Sequence, residues 1–278
     1  MRTGKVTGFL LLALLTLQTA CGSALSSGEG RATLPRASAG FNLFSPEQDI
    51  KLGEASAEEI MRDVVVLNDE PTNRYVQRLG ERVALRAPGY KFPYKFVVVA
   101  SPEINAFALP GGYVFVNEVA IKAARTEGEL AGVLAHEIAH VSLRHGTTQA
   151  SRAYLARTAL GVVNTFAGVG DGDFWRMAAA ACGAATNNFF LRSNREAELQ
   201  ADAEGARLLA EAGFDPREMA NFFERLDERE SEHAAGAASD HPDPASRVEA
   251  IDKVVAALGQ TPVRPRESKE FHRIKSRL

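Results

Sequence analysis

The chain has 278 residues, 24% of them charged, with a net charge of −3 at pH 7. That balance exerts no global pull toward nucleic acid or an anionic membrane, and no nucleic-acid partner is expected. The two cysteines, Cys21 and Cys182, exclude a disulfide framework if Cys21 is acylated, and Cys182 in its alanine-rich setting reads as a small buried helix residue.

Arg2 and Lys5 precede an apolar run from Phe9 to Leu17 and then Gln18-Thr19-Ala20-Cys21. The run is shorter than the roughly 20 residues a membrane-spanning helix needs, so it reads as an export signal. The organisation expected is a signal peptide over 1–20, a flexible Ser-, Gly- and Ala-rich tether over 21–40, and one domain over 41–278. Cys21 is the expected lipidation site and first mature residue; cleavage after Ala24 is the alternative, since Gln18 stands where a lipobox usually has leucine.

Ser45-Pro46 predicts a helix start, with serine as cap and proline in the first position. A second helix follows Pro71. Phe96-Val97-Val98-Val99 reads as a buried strand, and the runs 105–109 and 113–116 flank Pro110-Gly111-Gly112 as a hairpin. Beyond about Glu118 the chain reads as helical, giving an α+β fold, mostly α-helical, with a small β-sheet.

Leu130, Val133 and Leu134 fall at helical spacing after Thr126, a plausible N-cap with Glu129 as its capping-box partner. This helix is expected to end near His145, with Gly146 as its C-terminal cap. It carries His136-Glu137-Ile138-Ala139-His140. Residues four apart lie one turn apart on the same face, about 6 Å along the axis, so His136 and His140 can hold one metal ion between them. Glu137 projects beside the water of such a metal, the arrangement of a zinc hydrolase with a carboxylate base. The alternative is an ordinary helix with two histidines, which would be costly to bury unsatisfied in so apolar a segment.

A catalytic zinc needs a third protein ligand. Leu143 and Gly146 stand where the extended metzincin pattern has glycine and histidine, which excludes that class. Residues 156–190 read as packed core helices, or alternatively as an interfacial hairpin, because Asp171, Asp173 and Arg176 leave each apolar half too short to cross a bilayer. Farther on, Glu198, Ala201, Asp202 and Gly205 share one helical face, with small residues that permit close approach to another backbone. Glu198 could complete a zinc site, and Asp202 could hold a ligand histidine through its second ring nitrogen. Glu196 and Glu204 read as solvated.

Asp215-Pro216-Arg217-Glu218 predicts a capped helix closed by Glu218, and Asp243-Pro244 predicts another. Residues 230–240 between them read as a mobile loop. The basic C-terminal tail reads as a solvated segment. No chemistry is assigned to His145, His233 or His272.

His136-Glu137-x-x-His140, then Ser193-x-Arg195-Glu196-x-Glu198-x-x-Ala201-Asp202-x-x-Gly205, then His241-Pro242-x-x-x-x-Arg247 resembles the gluzincin family of the CaaX prenyl protease, HtpX and the mitochondrial OMA peptidase. The likeness runs from about Phe41 to the C-terminus and includes Asn105-Ala106-Phe107-Ala108-Leu109-Pro110-Gly111-Gly112. It is strongest to the soluble periplasmic branch typified by BepA and LoiP, without the helical-repeat domain of BepA. The resemblance implies a gluzincin domain with its sheet beside the zinc-binding helix. It implies one Zn2+ per chain held by His136, His140 and Glu198, with Glu137 as catalytic base.

At the junction of the loop and the next helix, His241 is expected at the zinc cleft, as a fourth ligand that keeps the enzyme latent or as an oxyanion donor. A plain His-Pro helix start is the alternative. Arg247, about one turn on, is expected to anchor a carboxylate or a substrate oxygen. The function expected is a zinc endopeptidase of the bacterial envelope, periplasmic and anchored to the outer membrane through Cys21. Its expected partners are unfolded or misassembled envelope polypeptides, with the outer-membrane assembly machinery possible. A periplasmic chaperone or assembly factor with little proteolysis is the alternative from another class. A structural zinc protein is the third reading, disfavoured because such a site needs no base.

Overall fold

The computed structural model describes residues 35–159, 195–233, 244–259 and 268–278. The expectations for Cys21, Cys182, His241, the export signal and residues 160–190 lie outside the described residues. Helix α1, Pro46–Asp63, opens on a reciprocal cap: Ser45 Oγ accepts from the Gln48 amide, and the Gln48 side chain accepts from the Ser45 amide. Helix α2, Glu70–Ala84, starts at Asp69, whose carboxylate accepts from the Thr72 amide.

Three strands follow: β1 (Lys95–Val99), β2 (Ala106–Ala108) and β3 (Tyr113–Asn117). Their order is β1-β3-β2, with β3 parallel to β1 and antiparallel to β2. The β2–β3 connection tightens into a 3-10 turn over Pro110–Gly112, where Gly111 has φ 79°, a conformation that side-chain-bearing residues rarely adopt. Alternation along the strands buries both faces. Val98, Val114 and Val116 join the main core, while Val99 and Phe115 pack with Leu109 and with Ala57 of α1.

The outer edge of β1 is closed, because the Leu67 amide donates to Val98 O at 2.8 Å and the Phe96 amide donates to Gln77 Oε1 at 2.9 Å. On β2, by contrast, the second edge carries no strand among the described residues.

Helices α3 (Glu118–Ala123), α4 (Glu127–Ser142), α5 (His145–Ala159), α6 (Arg195–Glu211), α7 (Arg217–His233), α8 (Pro244–Leu258) and α9 (Lys269–Lys275) complete the described elements. Helix α4 is the axis of the fold. Leu130, Leu134 and Ile138 are fully buried, each burial contributing about 1.5–3 kcal/mol. Helices α6, α7 and α2 and strand β2 pack around it. Gly205 lets α6 lie close against α4: a Cβ there would lie 3.2 Å from the His136 backbone nitrogen.

Several local expectations change in the folded chain. Helix α4 stops three residues early, and the left-handed residue that ends it is Arg144 (φ 57°), not Gly146. A left-handed side-chain-bearing residue costs about 1–2 kcal/mol. Arg144 is held there by Asp49, through Nε–Oδ2 at 2.6 Å and Nη2–Oδ1 at 3.0 Å, and it donates to Phe44 O. Gly146 instead lies in the first turn of α5.

Thr126 caps α4, but Glu129 reaches past it to the Arg125 amide at 2.6 Å and pairs with Arg225. Glu218 does not close a box with Asp215; it is buried, and its carboxylate accepts from the Thr126 hydroxyl at 2.8 Å. Helix α7 runs to His233, so residues 230–233, expected in a loop, are helical. Glu204 is not solvated. It is fully buried, 3.4 Å from both Arg36 Nε and Arg207 Nη1. Arg207 also donates to Pro35 O, so the end of the expected tether is already pinned to α6. Nor is the basic tail a free segment: Phe271 and Ile274 are buried, Lys275 donates to Ala124 O, and Arg277 clasps Asp69.

Candidate metal centre

One turn apart on α4, His136 and His140 bring their Nε2 atoms to 3.0 Å of one another. Helix α6 delivers Glu198 to the same point. Its Oε2 lies 3.3 Å from His136 Nε2, and its Oε1 lies 3.3 Å from His140 Nε2. Four-coordinate zinc with bonds of about 2.0–2.2 Å places neighbouring donors about 3.3 Å apart. Two imidazole nitrogens and a carboxylate at these spacings fit a zinc ion in both geometry and chemistry. Glu198 is 1% exposed and His136 2% exposed, and a metal is what reconciles that burial with so polar a cluster. Glu137 lines the same cleft as His140 and Glu198, together with Phe107 and Ala108 of strand β2.

Behind His136 stands a charged clamp. Asp202 Oδ1 is 2.9 Å from His136 Nδ1, and Arg247 of α8 grips Asp202 with both Nε (2.9 Å to Oδ2) and Nη2 (2.8 Å to Oδ1). The Arg247 guanidinium lies 3.8 Å over the Phe223 ring. Burial pushes the Asp202 carboxyl up, but Arg247 and His136 outweigh it and hold the group at about 2. Burial and Arg247 both push the His136 imidazole down; the Asp202 and Glu198 carboxylates overcome them and set it at about 9. Arg247 is buried, with its guanidinium turned to Asp202.

Behind His140 the surroundings are neutral. Its Nδ1 lies 3.0 Å from Nδ1 of His145, whose Nε2 lies 3.2 Å from Gln200 Oε1 on α6. Burial, aided by the neighbouring His140, pushes the His145 imidazole down to about 3. On an unbroken helix a residue five positions on would point well away from His140. The left-handed break at Arg144 is what turns His145 back.

The fold therefore gathers His136, Glu137, His140, Glu198, Asp202 and Arg247 around one point. The positions of His241 and Cys21 lie outside the described residues. His145 and Gln200 join the cluster without having been singled out, since on straight helices His145 does not share a face with His140, nor Gln200 with Glu198. His272 lies exposed on α9, away from this cluster.

The model of peptidase family M48 matches residues 70–255. The chain is 29% identical over 280 residues to the beta-barrel assembly-enhancing protease of Escherichia coli strain K12, covering 96% of this chain and 56% of that protein. It is 32% identical over 197 residues to the protein of that name in Yersinia pestis, covering 68% and 39%. To the mitochondrial metalloendopeptidase OMA1 of Schizosaccharomyces pombe it is 29% identical over 224 residues, covering 77% and 63%. The chain thus spans about two-fifths to two-thirds of the length of these relatives.

Proposed function

This chain belongs to peptidase family M48, and on that premise we propose that it is a zinc endopeptidase of the bacterial envelope that cleaves misfolded or unassembled envelope proteins. The observation that carries the reading is the convergence of His136, His140 and Glu198 on one point in a cleft that also holds Glu137 and the edge of β2 that carries no strand among the described residues. Zinc, when bound there, supplies a Lewis acid and lowers the pKa of a water to about 7.

The chain's own residues do the rest. Glu137 takes the proton of the attacking water and returns it to the leaving amine nitrogen. Asp202, clamped by Arg247, orients His136 and offsets the metal's charge. An extended substrate segment pairs by main-chain hydrogen bonds with the edge of Ala106–Ala108 that no described strand covers. Main-chain pairing reads few side chains, so unfolded segments are the preferred substrates.

A beta-barrel assembly-enhancing protease among the relatives supports envelope proteins as the substrate class. The basic N-terminus, apolar run and Cys21 support a periplasmic enzyme anchored by lipid at Cys21, and His241 is assigned to the same cleft as a gate or oxyanion donor.

Purified protein should cleave unfolded casein, lose that activity with a chelator and regain it with zinc. Glu137→Gln should keep zinc and lose at least about 100-fold in rate, the usual worth of a general base. Cleavage by that variant at the wild-type rate, or casein binding with no cleavage by the wild type, would overturn the proposal.

A further inference from the structure

Beyond the ligands and the base, the geometry points to His145 and Gln200 as positioning residues that fix the tautomer of His140 and so aim its Nε2 lone pair at the metal. The inference rests on the proposed zinc site but concerns residues that reading leaves unused. It follows from the direction in which each hydrogen bond can run.

Glu196 on α6 is a carboxylate and can only accept, and Gln200 Nε2 lies 3.2 Å from its Oε1. The opposite amide orientation would set Gln200 Oε1 against that carboxylate, oxygen to oxygen. Gln200 must therefore present Oε1 to His145, at 3.2 Å from Nε2. An amide oxygen accepts, so His145 carries its proton on Nε2 and leaves Nδ1 bare. That bare Nδ1 lies 3.0 Å from His140 Nδ1, and one of the two must donate. Only His140 has the proton to give. Its Nδ1–H donates to His145, and its Nε2 is left as the lone pair facing Glu198 and His136.

The two histidines are thus oriented by opposite means. His136 donates Nδ1–H to an aspartate clamped by arginine, while His140 donates Nδ1–H to a neutral imidazole. A carboxylate partner raises the basicity of its histidine, and a neutral partner orients the ring with less added charge. The position of His145 depends in turn on the Arg144 break and its Asp49 partner, so α1 contributes to the metal centre without touching it.

The test is long-range 1H–15N correlation of the imidazoles in the full chain, with and without zinc, together with zinc affinity by competition against a chromophoric chelator. His145 should show the Nε2–H tautomer in both states, and zinc-loaded His140 the Nδ1–H tautomer. His145→Leu should weaken zinc binding roughly 10–100-fold. His145→Gln, which keeps an acceptor, should stay within about threefold of wild type. Melting of each metal-free variant reports whether the fold is intact. An Nδ1–H tautomer at His145, or equal zinc affinity for the Leu and Gln variants and wild type, would overturn the inference while leaving the zinc site standing. A wild-type chain that takes up no zinc would instead sink the reading beneath it.

Discussion

Glu198 and Glu196 are two residues apart on α6, yet one is 1% exposed between two histidines and the other faces solvent. Their substitutions should therefore part company. Glu198→Gln replaces an anionic donor with a neutral amide and should empty most of the zinc from the purified protein. Glu196→Gln should retain far more zinc than Glu198→Gln, because residue 196 bears on the ligands only indirectly, through Gln200 and His145. Asp202→Asn should fall between them, since partners that orient a ligand are typically worth 10–100-fold in affinity or activity. Elemental analysis decides it: equal zinc in all three variants would remove Glu198 from the ligand set.

Helix on helix, the site depends on a close crossing. His136 and His140 belong to α4 and Glu198 to α6, and Gly205 lets the two backbones approach: a side chain's Cβ there would meet Ala135 and His136 backbone atoms at 3.2–3.3 Å. Those atoms lie in the most buried part of α4 and cannot give way as a flexible side chain would. Gly205→Val should push α6 outward, costing about 1–3 kcal/mol of stability as overpacking does, and should weaken zinc binding by separating Glu198 from the histidines. Chelator competition and thermal melting measure the two effects. Unchanged zinc affinity would mean that the metal centre tolerates a displaced α6.

Across the whole molecule, many contacts tie residues far apart in the chain, and two of them can be tested separately. The first is the metal centre, which joins α4 to a helix that begins some fifty residues after it ends. Zinc bound only to the folded state stabilises by mass action, about 4 kcal/mol at a thousandfold excess over its dissociation constant. Stripping zinc should therefore lower the melting temperature by several degrees, and re-addition should restore it; calorimetry that shows no change would argue against zinc as a joint between the helices.

The second tie is the clasp of Arg277 on Asp69, which holds the C-terminal residues to the cap of α2. Arg277, with help from Thr72, holds the Asp69 carboxyl well below the ordinary 3.8. Because the folded value is depressed, the stabilisation is present above the ordinary value and is lost as pH falls below it. The melting difference between wild type and Arg277→Gln should be small but real at pH 7 and should shrink toward zero below about pH 3. A difference that persists at low pH would assign the contact to packing.

Where a motif and its partner share one short stretch of helix, sequence alone determined the outcome. Ser45-Pro46 capped its helix, the Pro110-Gly111-Gly112 turn joined two antiparallel strands, and His136 and His140 faced the same way because helical spacing requires it. Family membership was legible for the same reason, since its motifs lie within such stretches. Tertiary structure decided everything that turned on which distant charge met which. Glu204 and Glu218 resembled solvated and capping glutamates until Arg36, Arg207 and Thr126 were brought to them. Helix α4 ended at Ser142, before the glycine, because Asp49, on another helix, stabilised a left-handed arginine at 144. That break turned His145 onto His140. The physical reason is range: caps, turns and helical faces are set by atoms a few residues apart, whereas a buried charge takes whatever partner the packed fold delivers.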